Sequence, residues 1–342
     1  MPMNKIDLKD LDLPEMDEMI EKRGLEGYRS QQIRKWIFAH QAESFQEMTN
    51  LSKELRSFLA SSCNISRLKM VKTESSLDGT KKYLFELEDG ERIESVLIPE
   101  RGHFTACISS QVGCAMGCAF CLTAKQGLIR NLKTSEIVNQ IIQIRRSMDE
   151  PEKLTNIVFM GMGEPLANFE AVKKAAHNIL SQDGLNFSHR RVTLSTCGLI
   201  PQIERLGREL PINLAVSLNA ADDATRNLLM PINRRYPLSK LLEVLSTYPL
   251  LRGRRITFEY ILIKGINDSR ADARRLTRLL KNIRAKINLI PFNFYPGSPF
   301  ESPGPERVLE FQRELIGRHL TATIRDSKGS DISAACGQLT TG

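Results

Sequence analysis

Three closely spaced cysteines are the part of this sequence with the most readily interpreted chemistry. Cys114, Cys118 and Cys121 lie within eight residues, in the run Gly-Cys-Ala-Met-Gly-Cys-Ala-Phe-Cys. Three thiolates at this spacing can hold three corners of one iron–sulfur cube, which leaves the fourth iron without a protein ligand. A cluster that only carries electrons usually takes four cysteines. The triad therefore predicts a 4Fe–4S cluster whose open iron binds a further molecule.

The Cys-x3-Cys-x2-Cys spacing resembles that of the radical S-adenosylmethionine (SAM) superfamily, which implies that SAM chelates the open iron. Three other interpretations compete: a zinc site, a disulfide with a spare thiol, and buried cysteines that serve as small apolar residues. Zinc normally takes four nitrogen or sulfur ligands. The nearest histidine, His103, precedes the triad at no spacing typical of a zinc finger, which disfavours zinc.

The elements that must position these cysteines follow from the apolar pattern. Apolar residues recur at helical spacing through residues 14–62, which predicts a small helical module. Residues 67–98 alternate apolar and polar side chains around Asp78-Gly79 and Asp89-Gly90, which predicts a short β-meander. Beyond it, short apolar runs alternate with amphipathic stretches: Thr105–Ser109, Asn156–Met160, Arg191–Ser195, Asn213–Ser217, Ile256–Ile263, Ile287–Pro291 and Ala322–Arg325.

Strands that alternate with helices predict right-handed βαβ units and a parallel sheet. About six units are too few for a closed eight-stranded barrel, so we expect an α/β fold with a partial (βα)6 radical SAM barrel. The expected divisions are a helical N-terminal domain (1–65) that serves as an RNA-binding accessory, a β-hairpin extension (66–100), and the barrel with a C-terminal cysteine loop (101–342). Site residues should follow the carboxyl ends of the strands.

Charge is unevenly distributed along the chain. Residues 1–100 hold 15 Lys and Arg against 19 Asp and Glu, whereas residues 101–342 hold 33 against 21, so the net charge changes from −4 to +12. A basic surplus beside the chemistry is compatible with a polyanionic partner. No stretch approaches the roughly 18 apolar residues that span a bilayer. Seven cysteines, three of them clustered, favour a reducing compartment, and we expect a cytoplasmic protein without membrane contact.

Several candidate ligands follow the predicted strands. Gly163 and Glu164 lie in Gly-Met-Gly-Glu-Pro after the second strand, where glycines permit backbone approach to a ligand and the carboxylate suits the ammonium group of SAM. Ser195 and Ser217 end later strands with hydroxyl groups, and Asn293 offers an amide suited to an adenine edge. Each of these residues, taken alone, is also an ordinary turn former.

Two lone cysteines complete the pattern. Cys107 precedes the triad in Cys-Ile-Ser-Ser-Gln-Val-Gly-Cys, and Cys336 lies in Ala-Cys-Gly-Gln-Leu. Together with Gly-Met-Gly-Glu-Pro, Ser-Thr-Cys-Gly and Pro-Phe-Asn-Phe-Tyr-Pro-Gly, in this order, they resemble the RlmN/Cfr family of RNA methyltransferases over nearly the whole chain. Two positions depart from the family pattern: Asn219, where many members carry histidine, and Cys197, where many carry serine.

The resemblance implies methylation of adenine carbon 2 in 23S rRNA, at adenosine 2503, and in tRNA, at adenosine 37. Two SAM molecules would be used in each turnover. One methylates Cys336, and the other yields a radical that activates the resulting S-methylcysteine. Glu94 would accept the ring proton, and Cys107 would release the RNA through a transient disulfide with Cys336.

By the same resemblance, the contacts to SAM come from Gly163, Glu164, Ser195, the segment Ser217, Leu218, Asn219, and from Asn293. A flavodoxin-type or similar electron donor is implied, and we expect a monomer. RNA contacts are expected from the basic residues 252–286 and from Arg29, Arg34 and Lys35. The alternatives are methylation at carbon 8, a radical SAM enzyme acting on a non-RNA substrate, and a non-catalytic zinc-stabilised RNA-binding module.

Overall fold

The computed structural model describes residues 5–341. The chain begins with a helical module in which two short parallel strands enclose three helices. Its elements are β1 (Ile6–Asp7), α1 (Leu13–Glu21), α2 (Tyr28–Arg34), α3 (Lys53–Ser62) and β2 (Cys63–Asn64). Asp12 and Glu15 form a capping box at the start of α1, and Ser52 caps α3. The predicted helical module is confirmed.

Arg34 fastens this module to the rest of the molecule. Its side chain is 1% exposed, and Nε lies 2.5 Å from Asp183 Oδ2. The same guanidinium donates to Asn178 Oδ1 and Ser181 Oγ at 2.8 and 2.9 Å. The expectation that Arg34 contacts RNA was wrong, because a contiguous basic sequence does not reveal which of its side chains faces inward. Apolar residues of the module pack in the same core as those of the barrel.

The predicted meander is present and extends the barrel sheet. Strands β3 (Lys69–Ser75), β4 (Lys81–Glu86) and β5 (Arg92–Glu100) pair antiparallel with one another. The connecting turns contain Gly79 and Gly90, whose φ angles of 83° and 86° favour glycine. Because β5 also pairs antiparallel with the first barrel strand, the meander is continuous with the main sheet. The division of the chain into three domains stays a prediction.

The barrel contains seven parallel strands and six βα units, as expected for a partial (βα)6 barrel. The ten-stranded sheet runs β14-β13-β12-β11-β10-β9-β6-β5-β4-β3 and does not close on itself. The parallel strands of this sheet are β6 (His103–Cys107), β9 (Leu154–Phe159), β10 (Val192–Thr196), β11 (Asn213–Ser217), β12 (Ile256–Leu262), β13 (Ala285–Pro291) and β14 (Ala322–Ile324). Strands β7 (Gln111–Gly113) and β8 (Leu128–Asn131) form a separate hairpin.

Helices connect the parallel strands. They are α4 (Leu122–Lys125), α5 (Thr134–Arg146), α6 (Phe169–Leu180), α7 (Ile200–Glu209), α8 (Asp223–Leu229), α9 (Leu238–Ser246), α10 (Arg270–Leu279) and α11 (Pro305–Ile316). Strand β6 ends two residues earlier than predicted. Ser109 leaves the sheet because its N–H donates to Gln140 Oε1 and its hydroxyl to Glu94 O. Within residues 5–341 no helix combines the length and apolarity that a membrane span requires.

Candidate active site

A cavity of about 170 Å³ opens at the carboxyl ends of the parallel strands. Its wall is made by the cysteine loop after β6, the turns after β9 to β13 and the C-terminal segment. All but two of the thirteen predicted site residues line it: Cys107, Cys114, Cys118, Cys121, Gly163, Glu164, Ser195, Ser217, Asn219, Asn293 and Cys336. Glu94 and Leu218 are the exceptions. Residues from distant parts of the sequence thus meet at the edge where barrel enzymes place their chemistry.

The path of the cysteine loop is fixed by backbone contacts. Gly113 has a φ of 73°, and a Cβ atom there would lie 1.9 Å from the carbonyl oxygen of Gly127. The N–H of Cys114 donates to the same oxygen at 2.8 Å, and the N–H of Cys121 donates to Cys118 O at 3.1 Å. Only glycine fits at position 113, so the close approach of the two chain segments is built into the sequence.

The three thiols of the triad form a donor set suited to a cationic cluster. Burial raises the pKa of Cys114 to about 12, and it also raises the pKa values of Cys118 and Cys121. Negative charge on neighbouring triad thiols raises the values for Cys114 and Cys118 further. Buried thiolates this close together require a cation to stabilise them, and iron supplies that charge.

The arrangement differs from that of a single-ion site. Among residues 5–341, no three side chains of the metal-binding types converge on a point where one ion could bind. A 4Fe–4S cluster places its three thiolates on three different irons and does not need such convergence. The residues present therefore fit the cluster that the cysteine spacing predicts.

The glycines of the turn after β9 are required by close packing within the protein, and the contact of Gly163 with SAM stays a prediction. A Cβ on Gly161 would lie 2.7 Å from Ser109 Oγ, and one on Gly163 would lie 2.5 Å from Gln111 Cβ. Both positions are closed by the chain segment that leads into the cysteine loop. The glycines thus permit close packing between two loops of the protein, and the turn is still part of the cavity wall.

Glu164 is held rigidly at the cavity wall. Its side chain is buried, with Oε2 accepting from the N–H of Cys197 at 2.8 Å and Oε1 from that of Leu166 at 3.1 Å. Burial raises the pKa of the carboxyl group, and hydrogen bonds from Cys197 oppose this effect. A carboxylate has further lone pairs to offer a ligand, so Glu164 is pre-oriented to accept from an ammonium group.

The polar groups after β10 and β11 divide into two kinds. The hydroxyl groups of Ser195 and Ser217 line the cavity, and within the described part of the chain neither has a protein hydrogen-bond partner. The amide of Asn219 is already engaged, because Oδ1 accepts from the N–H of Ile261 at 2.8 Å. Leu218 does not line the cavity, since its side chain packs into the core. The predicted Leu218 contact can therefore come only from its backbone.

Asn293 holds the C-terminal segment in place. The contact with adenine that the sequence suggested for this residue stays a prediction. Its Nδ2 donates to the carbonyl of Cys336 at 3.0 Å, and its Oδ1 accepts from the hydroxyl of Ser327. The same segment contacts the cysteine loop: the Thr123 hydroxyl donates to Leu339 O at 2.7 Å. The loop that carries Cys336 is thereby attached to the loop that carries the triad.

A second set of contacts attaches the C-terminal segment to the meander. Asp331 accepts from the Ser76 hydroxyl at 2.6 Å and from the N–H of Leu77 at 3.2 Å. The N–H of Gly329 donates to Asp78 Oδ2 at 3.0 Å. The segment therefore bridges from the end of β14 to the opposite side of the open barrel.

Cys107 and Cys336 share the cavity as free thiols. Cys107 ends β6, and burial raises its pKa to about 12, with a further rise from the nearby Cys336. Arg325 lies close enough to oppose that rise, and its own pKa is raised, first by Cys336 and also by Cys107. The positive charge of Arg325, which is half-buried, thus lies close to both thiols.

Glu94 lies on β5 beneath the C-terminal segment and outside the cavity wall. Its Oε1 is 3.1 Å from Lys82 Nζ, and its Oε2 accepts from the N–H of Thr340 at 2.9 Å. Burial raises its pKa, while Thr340 and Lys82 oppose the rise. The Glu94 carboxylate thus already has two partners, and its role as proton acceptor stays a prediction.

Arg226 on α8 was missed by the sequence analysis. Its guanidinium is fully buried and donates to the carbonyls of Cys197, Leu218 and Ser217 at 2.8, 3.1 and 3.3 Å. It thereby ties together the turns after β10 and β11, which hold several predicted SAM contacts. A single arginine in a short helix carries no sequence signal for this role, because most of its partners are backbone carbonyls.

Two family descriptions match the chain. The Radical SAM superfamily matches residues 108–277, and the Ribosomal RNA large subunit methyltransferase N-terminal domain matches residues 6–65. The first match contains the cysteine triad and the glycine turn, and the second covers the helical module. Fold and site together define a radical SAM protein with an added N-terminal domain.

Relatives agree with these matches over nearly the full length. The chain is 55% identical over 336 residues to the dual-specificity RNA methyltransferase RlmN of Pelobacter propionicus, covering 98% of this chain and 96% of that protein. It is 56% identical to the RlmN of Desulfosudis oleivorans over 91% of this chain and 84% of that one. A crystal structure of a radical SAM methyltransferase from Sphaerobacter thermophilus superposes with a TM-score of 0.92 at 45% identity, covering 98% of this chain and all of the other. The chain belongs to the RlmN family.

Proposed function

We propose that this protein methylates carbon 2 of adenine in 23S rRNA, at adenosine 2503, and in tRNA, at adenosine 37. The observation that carries the proposal is the convergence of Cys336 and Cys107 with the cysteine triad around one cavity. The names of the relatives support an RNA substrate, since each describes a dual-specificity RNA methyltransferase. Carbon 2 and the two positions are our inference from the motifs.

Carbon 2 of adenine is electron-poor, so direct displacement at the methyl group of SAM cannot methylate it. Cys114, Cys118 and Cys121 would hold a 4Fe–4S cluster, which would supply the electron for reductive cleavage of SAM. The chain's own thiols supply the rest of the chemistry. Glu164, Ser195 and Ser217 line the cavity, and in this proposal their carboxylate and hydroxyl groups orient SAM.

Cys336 serves as the methyl carrier. Its thiolate attacks the methyl group of SAM; a sulfur–carbon bond forms, and the bond to the departing S-adenosylhomocysteine breaks with its electron pair. The displacement needs the thiolate form of Cys336, and the positively charged Arg325 lies close to this residue. Asn293 holds the backbone at Cys336 and so limits where the methyl group can lie.

Cys107 releases the product. The protein–RNA thioether forms when the S-methyl group of Cys336 loses a hydrogen atom to the radical derived from SAM, its carbon bonds to carbon 2 of adenine, and the adduct gives one electron back to the electron-donor system and loses the ring proton. The Cys107 thiolate then attacks the Cys336 sulfur of this thioether, and a disulfide forms as the carbon–sulfur bond breaks. The electron pair stays on the former methylene carbon, which takes up a proton to become the methyl group. Glu94 accepts the proton lost from the adenine ring. The disulfide must be reduced by two electrons before the next turnover, so a flavodoxin-type donor in the cytoplasm fits the proposal. Nothing in the proposal requires more than a monomer.

The test is anaerobic reconstitution with iron, sulfide and SAM on unmodified 23S rRNA and tRNA, followed by mass spectrometry of the nucleosides. We expect 2-methyladenosine from both RNAs. Formation of 8-methyladenosine would assign the other chemistry of the family. Absence of any methylated adenine from a protein with a full cluster would refute the proposal.

Variants separate the roles of the two site cysteines. Cys336→Ala should abolish methylation because no methyl carrier remains. Cys107→Ala should still form the protein–RNA adduct and fail to release it, which a denaturing gel detects as crosslinked RNA. Cys63→Ala is the matched control, since Cys63 is equally a buried thiol but belongs to the helical module. Equal, mild losses in both site variants without a crosslink would contradict the assignment.

A further inference from the structure

The basic residues that the sequence placed near the chemistry lie at the opposite end of the barrel. They stand directly before, or at the start of, three parallel strands, at the edge away from the cavity. We call this set the amino-end rim: Arg190 and Arg191 before β10, Arg254 and Arg255 before β12, and Arg284 and Lys286 at the start of β13. The register of β12 and β13 places Ile256 beside Ala285, so the last two pairs are neighbours.

Contacts between the loops hold these residues together. Arg254 Nη1 donates to Pro211 O at 3.4 Å, and Arg255 Nη1 donates to Thr321 Oγ1 at 2.8 Å. Arg254 also senses the positive charge of Arg190, which adds to burial in lowering its pKa. Like charges are therefore kept close to one another, an arrangement that costs free energy unless an anion is present.

The rim also differs from an ordinary solvated helix face. In the part of the chain that the structure describes, none of its six cations forms an ion pair with a carboxylate. On the outer face of α10, in contrast, Arg270 and Arg274 lie 2.6 and 3.0 Å from Glu310 and Glu314. The basic helix face that the sequence suggested for RNA is thus partly neutralised within the protein, whereas the rim is not.

The charge of this edge changes sign beyond β10. The segment before β9 contains Asp149, Glu150 and Glu152, so the series of unpaired cations at the edge from β10 to β13 is interrupted there. Four adjacent strands at about 4.8 Å spacing span roughly 15 Å. That length matches about four nucleotides at the 3.4 Å rise of one strand in a duplex.

We propose that the amino-end rim binds the phosphate backbone of the RNA substrate, at a segment distinct from the one that delivers adenine to the cavity. The inference rests on the proposed function. An acidic electron donor is the less suitable partner, because strands of five to seven residues separate the rim from the cysteine loop by roughly 20 Å. RNA long enough to reach both ends of the barrel binds more tightly than RNA that reaches only the cavity, since the second contact is intramolecular.

The experiment compares a long 23S rRNA transcript with a short hairpin that carries the target adenine. The rim variant is Arg190→Gln, Arg284→Gln and Lys286→Gln in the full-length protein with its cluster. Within residues 5–341 these three side chains form no hydrogen bond or ion pair that the substitutions would remove. The charge-matched control is Arg270→Gln, Arg274→Gln and Arg307→Gln, which removes three cations from the outer helices. Thermal melting checks that both variants fold.

We expect the rim variant to bind the long transcript at least about tenfold more weakly than the parent does. The slope of log affinity against log salt concentration should be smaller in magnitude by about 2 to 3. Its affinity for the hairpin and its rate of hairpin methylation should match the parent. The control should bind both RNAs as the parent does. Equal RNA affinity and equal salt slope in the rim variant and the parent would overturn the inference. A rim variant that binds RNA as the parent does and is impaired only in its reduction by flavodoxin would also overturn it.

The outcome is separable from the proposed function. Hairpin methylation by the parent tests the function, and long-transcript binding by the rim variant tests the rim. A parent that binds RNA through the rim but methylates no adenine would refute only the function.

Discussion

The loop that carries the cysteine triad and the segment that carries Cys336 meet at one cavity but are held in place differently. Near Gly113 the triad loop is fixed by backbone hydrogen bonds and by the missing Cβ of one glycine. The C-terminal segment is fixed by side chains from three distant regions: Asp78 of the meander, Thr123 of the cysteine loop and Asn293 after β13. One element is determined locally, and the other depends on the assembled barrel.

Loss of a triad cysteine should have the largest effect. Replacing Cys114, Cys118 or Cys121 by alanine should remove both iron and RNA methylation, because a cluster that also binds SAM cannot spare a ligand. Iron analysis of anaerobically purified protein, which we expect to contain about four irons per chain, checks this. Stoichiometric zinc with normal activity in the parent would contradict the cluster.

A single methyl group should disrupt the triad loop. Gly113→Ala places a Cβ 1.9 Å from Gly127 O, so the loop must move and iron incorporation should be largely lost. Gly127→Ala is the matched control: its φ is also 73°, but nothing lies within 4 Å of the added atom. It should cost only the strain of a left-handed alanine, about 1 to 2 kcal/mol. Similar iron content in both variants would show that the contact does not matter.

Removal of the Arg226 guanidinium should weaken SAM binding and stability together. Arg226→Met leaves the carbonyls of Cys197, Ser217 and Leu218 without their donor, which should reduce the free energy of unfolding by about 3 kcal/mol. Urea unfolding of the iron-free protein and the KM for SAM measure the two effects. Arg275→Met, at a partly exposed arginine, is the control. An unchanged KM in a destabilised protein would limit Arg226 to a structural role.

The smallest effect should come from the contact between Asp331 and the meander turn. Asp331→Ala loses the hydrogen bonds from Ser76 and Leu77, so the segment around Cys336 gains freedom. We expect kcat to fall about threefold, since exposed polar contacts each contribute little, with iron content unchanged. Glu301→Ala, which removes an exposed partner of Lys264, is the control. Loss of iron in the Asp331 variant would show that the two elements are not held independently.

The features that could be predicted from the sequence are those determined locally, and the features that were missed depend on the assembled barrel. The triad, the individual strands and the turns at Gly79 and Gly90 depend on neighbours in sequence, so spacing and residue type reveal them. Arg226 and Arg34 were not assigned correctly, because their partners are 7 to 149 residues away and include backbone atoms. Gly161 and Gly163 were recognised as constrained, but sequence does not tell whether a ligand or another loop fills the space beside a glycine.

The bridge formed by the C-terminal segment has a consequence for the order in which the protein is completed. Gly337 and Leu339 bond to Leu122 and Thr123, directly after the last triad cysteine. These residues follow every strand of the barrel in the sequence, so they are synthesised after the strands that surround the triad loop. The contacts that attach the C-terminal segment to that loop can therefore form only after all of the barrel strands have been made.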